Sequence, residues 1–232
     1  MERGVPYQRG RVAVAQNAFI LKVYNWMALG LGVTAISALY TASSPTMIQF
    51  IFGTPMVLIV LIIAELGLVI ALSAAINKMQ SSTALLMFFG YSLLNGLTLS
   101  SIFLVYTSAS IASTFFVTAG TFGAMSLYGY TTKRDLTAWG SFLFMGLIGV
   151  IIASLVNIFF KSPMIYWLMT YIGIIVFVGL TAYDTQKLKE MASAGFAGEE
   201  MERKGAVIGA LTLYLDFINL FLLLLRVFGR RN

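Results

Sequence analysis

Long apolar stretches alternate with short polar connections along most of the chain. Each stretch has about 20 residues, the length that an α-helix needs to cross a bilayer. The pattern predicts seven transmembrane helices, at about Phe19 to Tyr40, Thr54 to Ile76, Ala84 to Tyr106, Ile111 to Tyr130, Ala138 to Phe160, Met164 to Lys187 and Gly205 to Phe228. We therefore expect an all-α membrane fold, with residues 1–18 as an amino-terminal tail and residues 19–232 as a single transmembrane domain.

The last apolar stretch has one polar face. Its members are spaced three or four residues apart and share one side of a helix: Gly205, Gly209, Thr212, Asp216 and Asn219. The other sides hold Leu, Ile, Val and Phe, so this helix is predicted to turn a polar stripe toward other helices or water. A lone carboxylate in the middle of a bilayer is costly, and Asp216 therefore needs a partner.

Composition narrows the possible chemistry. The chain is 59% hydrophobic and only 10% charged, as expected of an integral membrane protein. It contains no cysteine and no histidine, which excludes disulfides, thiolate nucleophiles, serine-histidine catalysis and histidine metal ligands. Proton sensing must then rest on carboxyl groups. The net charge of +6 comes from basic residues at helix ends, so we expect membrane topology and no nucleic-acid partner.

The basic residues also predict the orientation in the membrane. They concentrate in the amino-terminal tail and in every second loop, at Arg3, Arg9, Arg11, Lys78, Lys133, Arg134, Lys187, Lys189, Arg203 and Lys204. The positive-inside rule therefore predicts a cytoplasmic amino terminus. Seven crossings then place the carboxyl terminus outside together with Arg226, Arg230 and Arg231, against the same rule. We favour a full seventh crossing because the apolar stretch is long enough.

Three acids fall within or near the ends of the predicted spans. From the helical rise, Asp184 lies about 5 Å from the end of its span, and Glu65 and Asp216 each lie about 17 Å from theirs. Asp184 has two interpretations, an interfacial pair with Lys187 at i+3 or a functional role. No base lies within two turns of Asp216 on its own helix, which favours function. Glu65 is either a protonated structural residue or a working one.

Asp184 and Asp216 lie on consecutive helices, which pack antiparallel by default and can bring the two carboxyl groups together. At hydrogen-bonding range the two groups share a proton and titrate as a unit, a pH switch made without histidine. With Glu65, Thr212 and Asn219 they also offer hard oxygen ligands suited to Ca²⁺. The remaining intramembrane polar side chains are interpreted as interhelical hydrogen-bond partners, at Asn95, Thr98, Ser101 and Asn157.

The segments around the two aspartates carry a resemblance. GLTAYDTQKLK (179–189) and GALTLYLDFINLF (209–221), with GAMSLYGYTTKRDL (123–136) and LTLSSIFLVYT (97–107), resemble the transmembrane Bax-inhibitor motif family in its bacterial inner-membrane form. The resemblance implies seven helices with the last one central and surrounded by the other six. It also implies a stress-related protein of the inner membrane that acts as a pH-sensitive calcium leak channel.

The resemblance further implies roles for single residues. Asp184 and Asp216 match the family's pH-sensing pair, and Glu65 matches a second-helix glutamate associated with calcium in bacterial relatives. Some relatives carry, eleven residues after that glutamate, an arginine that latches the aspartate pair. Here that position is Ile76, and the nearest base is Lys78.

The leading hypothesis is thus a channel and no enzyme, without a cofactor, whose partners are the lipid bilayer, calcium ions and protons. A second hypothesis is a regulator that binds a membrane protease or another membrane protein through the charged segment 187–204. A third is an intramembrane aspartyl protease, since Tyr183 and Asp184 form a Tyr-Asp pair on one helix and Asp216 lies on the next. Against the third, Asp216 lies in LYLD rather than in a Gly-x-Gly-Asp sequence.

Overall fold

The computed structural model describes the backbone of residues 5–232 and the side chains of residues 15–232. The side chains of Arg3, Arg9 and Arg11, which support the predicted cytoplasmic amino terminus, lie outside the described residues. The described chain folds into the helices α1 (Val5–Ala42), α2 (Pro45–Gly53), α3 (Pro55–Ala75), α4 (Ser81–Leu99), α5 (Ile102–Val105), α6 (Ser108–Thr131), α7 (Thr137–Phe160), α8 (Pro163–Ala194) and α9 (Glu199–Phe228).

The prediction of an all-α membrane protein with seven spans is confirmed. Seven helical segments are long and apolar enough to cross a bilayer: Ala15–Ala42, Pro55–Lys78, Ser81–Val105, Ser108–Thr131, Thr137–Phe160, Pro163–Ala194 and Glu199–Phe228. The last of them is the most enclosed, because 67% of its apolar window is buried, compared with at most 39% in the other six. The surrounding of this helix by all six others stays a prediction.

The helix ends differ from the predicted ends. Residues 5–18, predicted as a tail, form the first turns of α1. The charged segment 187–204 is mostly helical, since α8 continues to Ala194 and α9 begins at Glu199. Only residues 195–198 connect them, and positive φ angles at Gly195 and Gly198 make this sharp turn possible. The third span also contains a turn at Ser100 and Ser101, which separates α4 from α5.

Local sequence explains several boundaries. α2, α3 and α8 each begin with a proline, whose fixed φ suits the first helical position and whose missing N–H is not needed there. The side chain of Ser44 accepts a hydrogen bond from Met47 N–H and caps α2. The side chain of Thr107 caps α6 in the same way, through Ser110 N–H. Lys161 adopts a left-handed conformation with φ of 49° and ends α7.

The chain divides into two compact units, and the first comprises residues 1–105 and 190–214. In this unit α1 packs against α4, and α4 packs against α3. Two acids at the start of α9 bind residues of α4 and α1. The carboxylate of Glu200 accepts hydrogen bonds from Ser81 N–H (2.6 Å) and Ser81 Oγ (2.8 Å), and Glu202 pairs with Lys22 at 2.7 Å. Glu200 thus caps the start of α4 from another helix.

Replacing Glu200 by alanine is expected to lower the melting temperature of the detergent-solubilised protein. The change leaves a free N–H at the start of α4 and removes the side-chain contact with Ser81. Glu199→Ala is the matched control, because Glu199 is 84% exposed and, among the described side chains, pairs only with Arg203, one turn away, at 3.5 Å. Thermal unfolding of both variants checks this prediction, and equal losses would contradict it.

The second unit comprises residues 106–189 and 215–232. Its core is a cluster of aliphatic and aromatic side chains from α7, α8 and α9, formed by Leu143, Val176, Phe177, Leu180, Leu220, Leu223 and Leu224. On α6, the rings of Phe115 and Phe122 each pack at 5.4 Å from the ring of Phe217. α6 and α8 lie in close backbone contact at Gly129, where a side chain would overlap the carbonyl oxygen of Ala182.

Candidate functional site

The site begins with two acids of the second unit. Asp184 lies on α8 and Asp216 lies on α9, and the structure places their carboxyl groups within hydrogen-bonding reach of each other. An ionised carboxylate can only accept hydrogen bonds, so a bond between two carboxyl groups requires a proton between them. The predicted proximity of the pair agrees with this geometry, and its role in pH sensing stays a prediction.

Burial makes this pair sensitive to its environment. Asp216 is only 5% exposed, and its Oδ2 atom has no hydrogen-bond partner among the described residues. About one and two turns further along α9, Leu220 and Leu224 belong to the apolar core of the unit. A buried oxygen without a partner is costly, which favours a bound proton, water or cation at this position.

Lys187 does not form the predicted ion pair with Asp184. Its Nζ atom lies over the ring of Tyr183, 5.9 Å from the ring centroid. The side-chain ion pairs found in the described part of the chain are confined to α1 and the start of α9, and none includes Asp184. Lys187 still acts on Asp184 electrostatically from beyond ion-pair distance, so both interpretations of Asp184 stay predictions.

The residues beside Asp184 hold α8 against the loop between α6 and α7. Gln186 is buried and uses both ends of its amide. Its Oε1 accepts a hydrogen bond from Leu136 N–H, and its Nε2 donates to the carbonyl oxygen of Arg134, both at 2.8 Å. One turn further, Lys189 Nζ donates to the carbonyl oxygen of Tyr130 at 2.7 Å. These hydrogen bonds fix the position of α8 close to Asp184, which lies two residues before Gln186.

Two other polar residues of the α9 stripe bond to their own helix. Thr212 Oγ1 donates to the carbonyl oxygen of Ile208 (3.1 Å), and Asn219 Nδ2 donates to that of Leu215 (2.8 Å). Both side chains are half-buried. The lone pairs of Thr212 Oγ1 and of the Asn219 amide oxygen remain available as acceptors, so the predicted pathway role of these residues stays a prediction.

Glu65 belongs to a separate polar network in the first unit. Thr98 Oγ1 donates to its Oε1 atom at 2.9 Å, and Asn95 Nδ2 donates to its Oε2 atom at 3.3 Å. Both donors come from α4, whereas Glu65 lies on α3. The interpretation of Asn95 and Thr98 as interhelical hydrogen-bond partners is confirmed. Asn157, by contrast, accepts a bond from Ser162 N–H at the end of its own helix.

A chain of two hydrogen bonds leads from Tyr214 to Glu65. The hydroxyl of Tyr214 donates to Asn95 Oδ1 at 3.0 Å, and Asn95 Nδ2 donates in turn to the glutamate. Thr34 Oγ1 lies 2.6 Å from the hydroxyl of Tyr214, and either atom can be the donor. The Thr34 hydroxyl also faces the carbonyl oxygens of Gly30 (3.0 Å) and Ser92 (2.8 Å). The tyrosine thus selects the amide orientation that presents a donor to Glu65.

Removal of the Tyr214 hydroxyl is expected to be costly. Tyr214→Phe leaves buried Asn95 Oδ1 without its donor, with an expected loss of about 1–3 kcal/mol in the free energy of unfolding. Thr34 Oγ1 keeps the carbonyl oxygens of Gly30 and Ser92 as partners. Tyr91→Phe is the control. The ring of Tyr91 is buried 5.7 Å from that of Tyr214, but its hydroxyl makes no hydrogen bond within the described residues. Denaturation in detergent checks the difference, and equal stability of the two variants would contradict the network.

The predicted calcium ligands do not form one ready metal site. In the part of the chain that the structure describes, no group of three or more acidic side chains is placed to hold a metal ion. Glu65 belongs to the first unit, and Asp184 and Asp216 belong to the second. Calcium binding by Asp216, Asp184 and Glu65 therefore stays a prediction.

Two residues near the acids were missed by the sequence analysis. Gln186 lies within the quoted YDTQK segment, and Tyr214 lies two positions before Asp216 in LYLD. A separation of two residues places Tyr214 and Asp216 about 200° apart around α9, so they serve different neighbours. Their positions close to Asp184 and Asp216 were the available signal in the sequence. Their hydrogen-bond partners lie at least 50 residues away in the chain and could not be predicted from it.

Seven apolar helices, and a carboxyl pair between two of them, define a multi-pass α-helical membrane protein. Residues 16–232 match the family described as "Inhibitor of apoptosis-promoting Bax1". The chain therefore belongs to the Bax inhibitor-1 family, which confirms the resemblance seen in its sequence.

Bacterial relatives match almost the full length of the chain. It is 58% identical over 221 residues to the inner membrane protein YbhL of Escherichia coli K12, covering 92% of each chain. It is 47% identical to a protein of Borreliella burgdorferi, covering 97% of each, and 47% identical to a protein of Rickettsia prowazekii, covering 92% of this chain and 90% of the relative. With its seven apolar helices, the protein is therefore a multi-pass inner-membrane protein.

Proposed function

We propose that the protein is a pH-sensitive calcium leak channel, gated by protonation of the Asp184 and Asp216 pair. One observation carries the proposal, the contact between two carboxyl groups on α8 and α9 with Asp216 almost fully buried. Gain or loss of the proton between them changes the charge of the contact. A channel state that keeps the groups together and a state that separates them then bind protons differently, and pH shifts their populations.

Calcium is the proposed ion because the polar face of α9 offers oxygen ligands. Ca²⁺ binds carboxylates and amide or carbonyl oxygens in flexible geometry. The Asp216 oxygen without a partner is such a ligand, and half-buried Thr212 and Asn219 share its helix face. Glu65, held by Asn95 and Thr98, is proposed as a further acid for the ion. In this proposal the protein is not an enzyme.

The proposal assigns gating to the proton of the pair itself. Ile76, at the position where some relatives carry an arginine, lies in the short turn Ile76–Lys78 and cannot form an ion pair. The proposed orientation has a cytoplasmic amino terminus and a carboxyl terminus outside. Calcium ions then leak across the inner membrane, and the proton of the pair only gates their passage.

Flux in liposomes tests this function. Purified protein is reconstituted into vesicles that contain a calcium-sensitive dye, and calcium entry is followed at several values between about pH 5 and pH 8. We expect entry that depends on pH and exceeds that of protein-free vesicles. Potassium and magnesium gradients, read with matching dyes, test the choice of ion. A flux equal to that of empty vesicles at every pH would refute the channel.

The two other hypotheses give different outcomes. An aspartyl protease would cleave a transmembrane reporter and would lose cleavage with Asp184→Asn. A regulator would act without flux, through the charged segment 187–204. Several charged side chains of this segment bind within the chain, since Lys189 contacts Tyr130, Glu200 contacts Ser81 and Glu202 contacts Lys22. Fewer of its charges are left for a protein partner, which supports the channel over the regulator.

A further inference from the structure

One end of the second unit has a concentration of positive charge. Lys161 follows α7, Arg226 lies in the last turn of α9, and Arg230 and Arg231 follow that helix. All four side chains are exposed. We call this set the basic end. Within the described residues of this unit, the acids lie elsewhere, Asp135 at the other ends of α6 and α7 and the remaining two within helices α8 and α9.

Backbone hydrogen bonds hold the basic end in a defined position. Thr107 N–H donates to the carbonyl oxygen of Arg230 at 2.9 Å, and Ser110 Oγ donates to the same oxygen at 3.3 Å. Tyr106 and Arg231 form an antiparallel bridge. Chain termini usually fray unless they are tied down in this way. The two arginines are therefore presented from fixed backbone positions at the start of α6.

An aromatic contact fixes the third arginine. The guanidinium of Arg226 lies 5.2 Å from the ring centroid of Tyr166, in the first turn of α8. Trp167 stacks on Tyr171 beside it, with ring centroids 6.0 Å apart. Tyrosine and tryptophan are enriched at the depth of lipid headgroups. Apolar rings border the same end, with Phe160 73% exposed and Phe228 59% exposed.

We propose that the basic end binds the phosphate headgroups of anionic phospholipids. Arginine offers planar, paired donors that match the oxygens of a phosphate. The four cations of the basic end have no acidic side chain of the described unit at the same end. The exposed phenylalanines at the same level fit acyl chains, which a free phosphate ion does not have. The anchored headgroup neutralises charges that the seventh crossing places at the membrane interface. This site does not depend on the calcium leak.

Lipid titration tests this site. Purified protein in neutral detergent is titrated with phosphatidylglycerol or with phosphatidylcholine, and the melting temperature is recorded at each lipid fraction. We expect selective stabilisation by phosphatidylglycerol. The double variant Arg230→Gln and Arg231→Gln should need an about 30-fold higher fraction of phosphatidylglycerol for half of the effect. The matched control is Lys133→Gln with Arg134→Gln, which removes two exposed charges of the loop between α6 and α7.

Each outcome of the titration decides for or against the site. Unchanged phosphatidylglycerol binding by the first double variant, or an equal loss in the control, would overturn it. If sodium phosphate reproduces the stabilisation at millimolar concentration, the site binds a free anion and not a lipid, and the proposal is overturned. If the glutamine variant fails to fold, Arg230→Lys with Arg231→Lys and a salt titration of the wild type serve instead. Selective stabilisation must then need a higher lipid fraction in the lysine variant, which keeps the charges but loses the paired donors, and must weaken with salt in the wild type. Resistance to salt overturns the proposal.

Discussion

Calcium flux through the Asp216→Asn variant is expected to lose its dependence on pH. Asparagine has nearly the same shape as aspartate, but it neither takes up nor releases the proton that the pair with Asp184 requires. If opening is linked to one proton, the open population of the wild type changes up to about tenfold per pH unit. The variant should give flux ratios close to one over the same range. Dye-loaded liposomes measure both.

Asp135→Asn is the control for this experiment. Hydrogen bonds from the Thr137 side chain and from the Thr137 N–H hold the pKa of Asp135 below its ordinary value of 3.8. With a lowered pKa, its contribution to stability is present above that ordinary value and is lost only as the pH falls through the lower folded-state pKa. Asp135 therefore stays ionised between about pH 5 and pH 8. Its removal should leave the pH dependence of flux intact.

Asp184→Asn completes the comparison. If the two carboxyl groups share one proton as proposed, this variant and the double variant should resemble Asp216→Asn rather than add to it. A pH response that survives in Asp216→Asn and disappears with another acid would assign gating to that acid. Elution as a single species in gel filtration shows that each variant is folded before flux is compared.

A methyl group at Gly129 is expected to destabilise the second unit. The added carbon overlaps the carbonyl oxygen of Ala182, which belongs to the backbone of α8 and cannot turn aside as a side chain can. α6 and α8 must separate, at an expected cost of about 1–3 kcal/mol for overpacking. Thermal unfolding of Gly129→Ala in detergent should therefore show a lower melting temperature than the wild type.

Gly120→Ala, on the same helix, is the control and is not expected to lower the stability. No atom of the described chain lies within 4 Å of the position that its methyl group would occupy. Alanine is a better helix former than glycine by about 1 kcal/mol, so this variant should be as stable as the wild type or more so. A loss of stability at both positions would indicate a general intolerance of α6, and the close contact with Ala182 would then not explain the result.

The apolar stretches predicted the fold because their length is a direct physical requirement of the bilayer. All seven spans were found within a few residues of their predicted centres. Their ends were harder to predict, since hydropathy does not distinguish a helix that stops from one that continues into water. α8 thus runs beyond Lys187, and α1 begins before Phe19. The turn at Ser100 and Ser101 was missed because the stretch around it is apolar enough on average to form one continuous span, in spite of Asn95 and Thr98.

The pairing of Asp216 was predictable, because a buried acid without a partner is energetically costly. A buried acid without a local base must find a partner, and the next helix offered Asp184 for Asp216. The partners of Glu65 were less accessible to such reasoning. Tyr214 reaches the glutamate only through Asn95, over 119 residues of sequence, and tyrosine is common in apolar helices for packing alone. The hydrogen bonds of the Gln186 side-chain amide, to residues 50 and 52 positions away, depend in the same way on tertiary contacts.

The contact between Asp184 and Asp216 also has a consequence for biosynthesis. α9 follows α8 along the chain after only residues 195–198, so the two helices emerge from the ribosome in immediate succession. Until α9 has emerged, the polar side of α8 has no carboxyl partner, and a lone acid opposes insertion of a helix into lipid. We therefore expect α8 and α9 to enter the membrane together as a hairpin. Helix α8 alone should stay at the translocon or at the interface until its successor arrives.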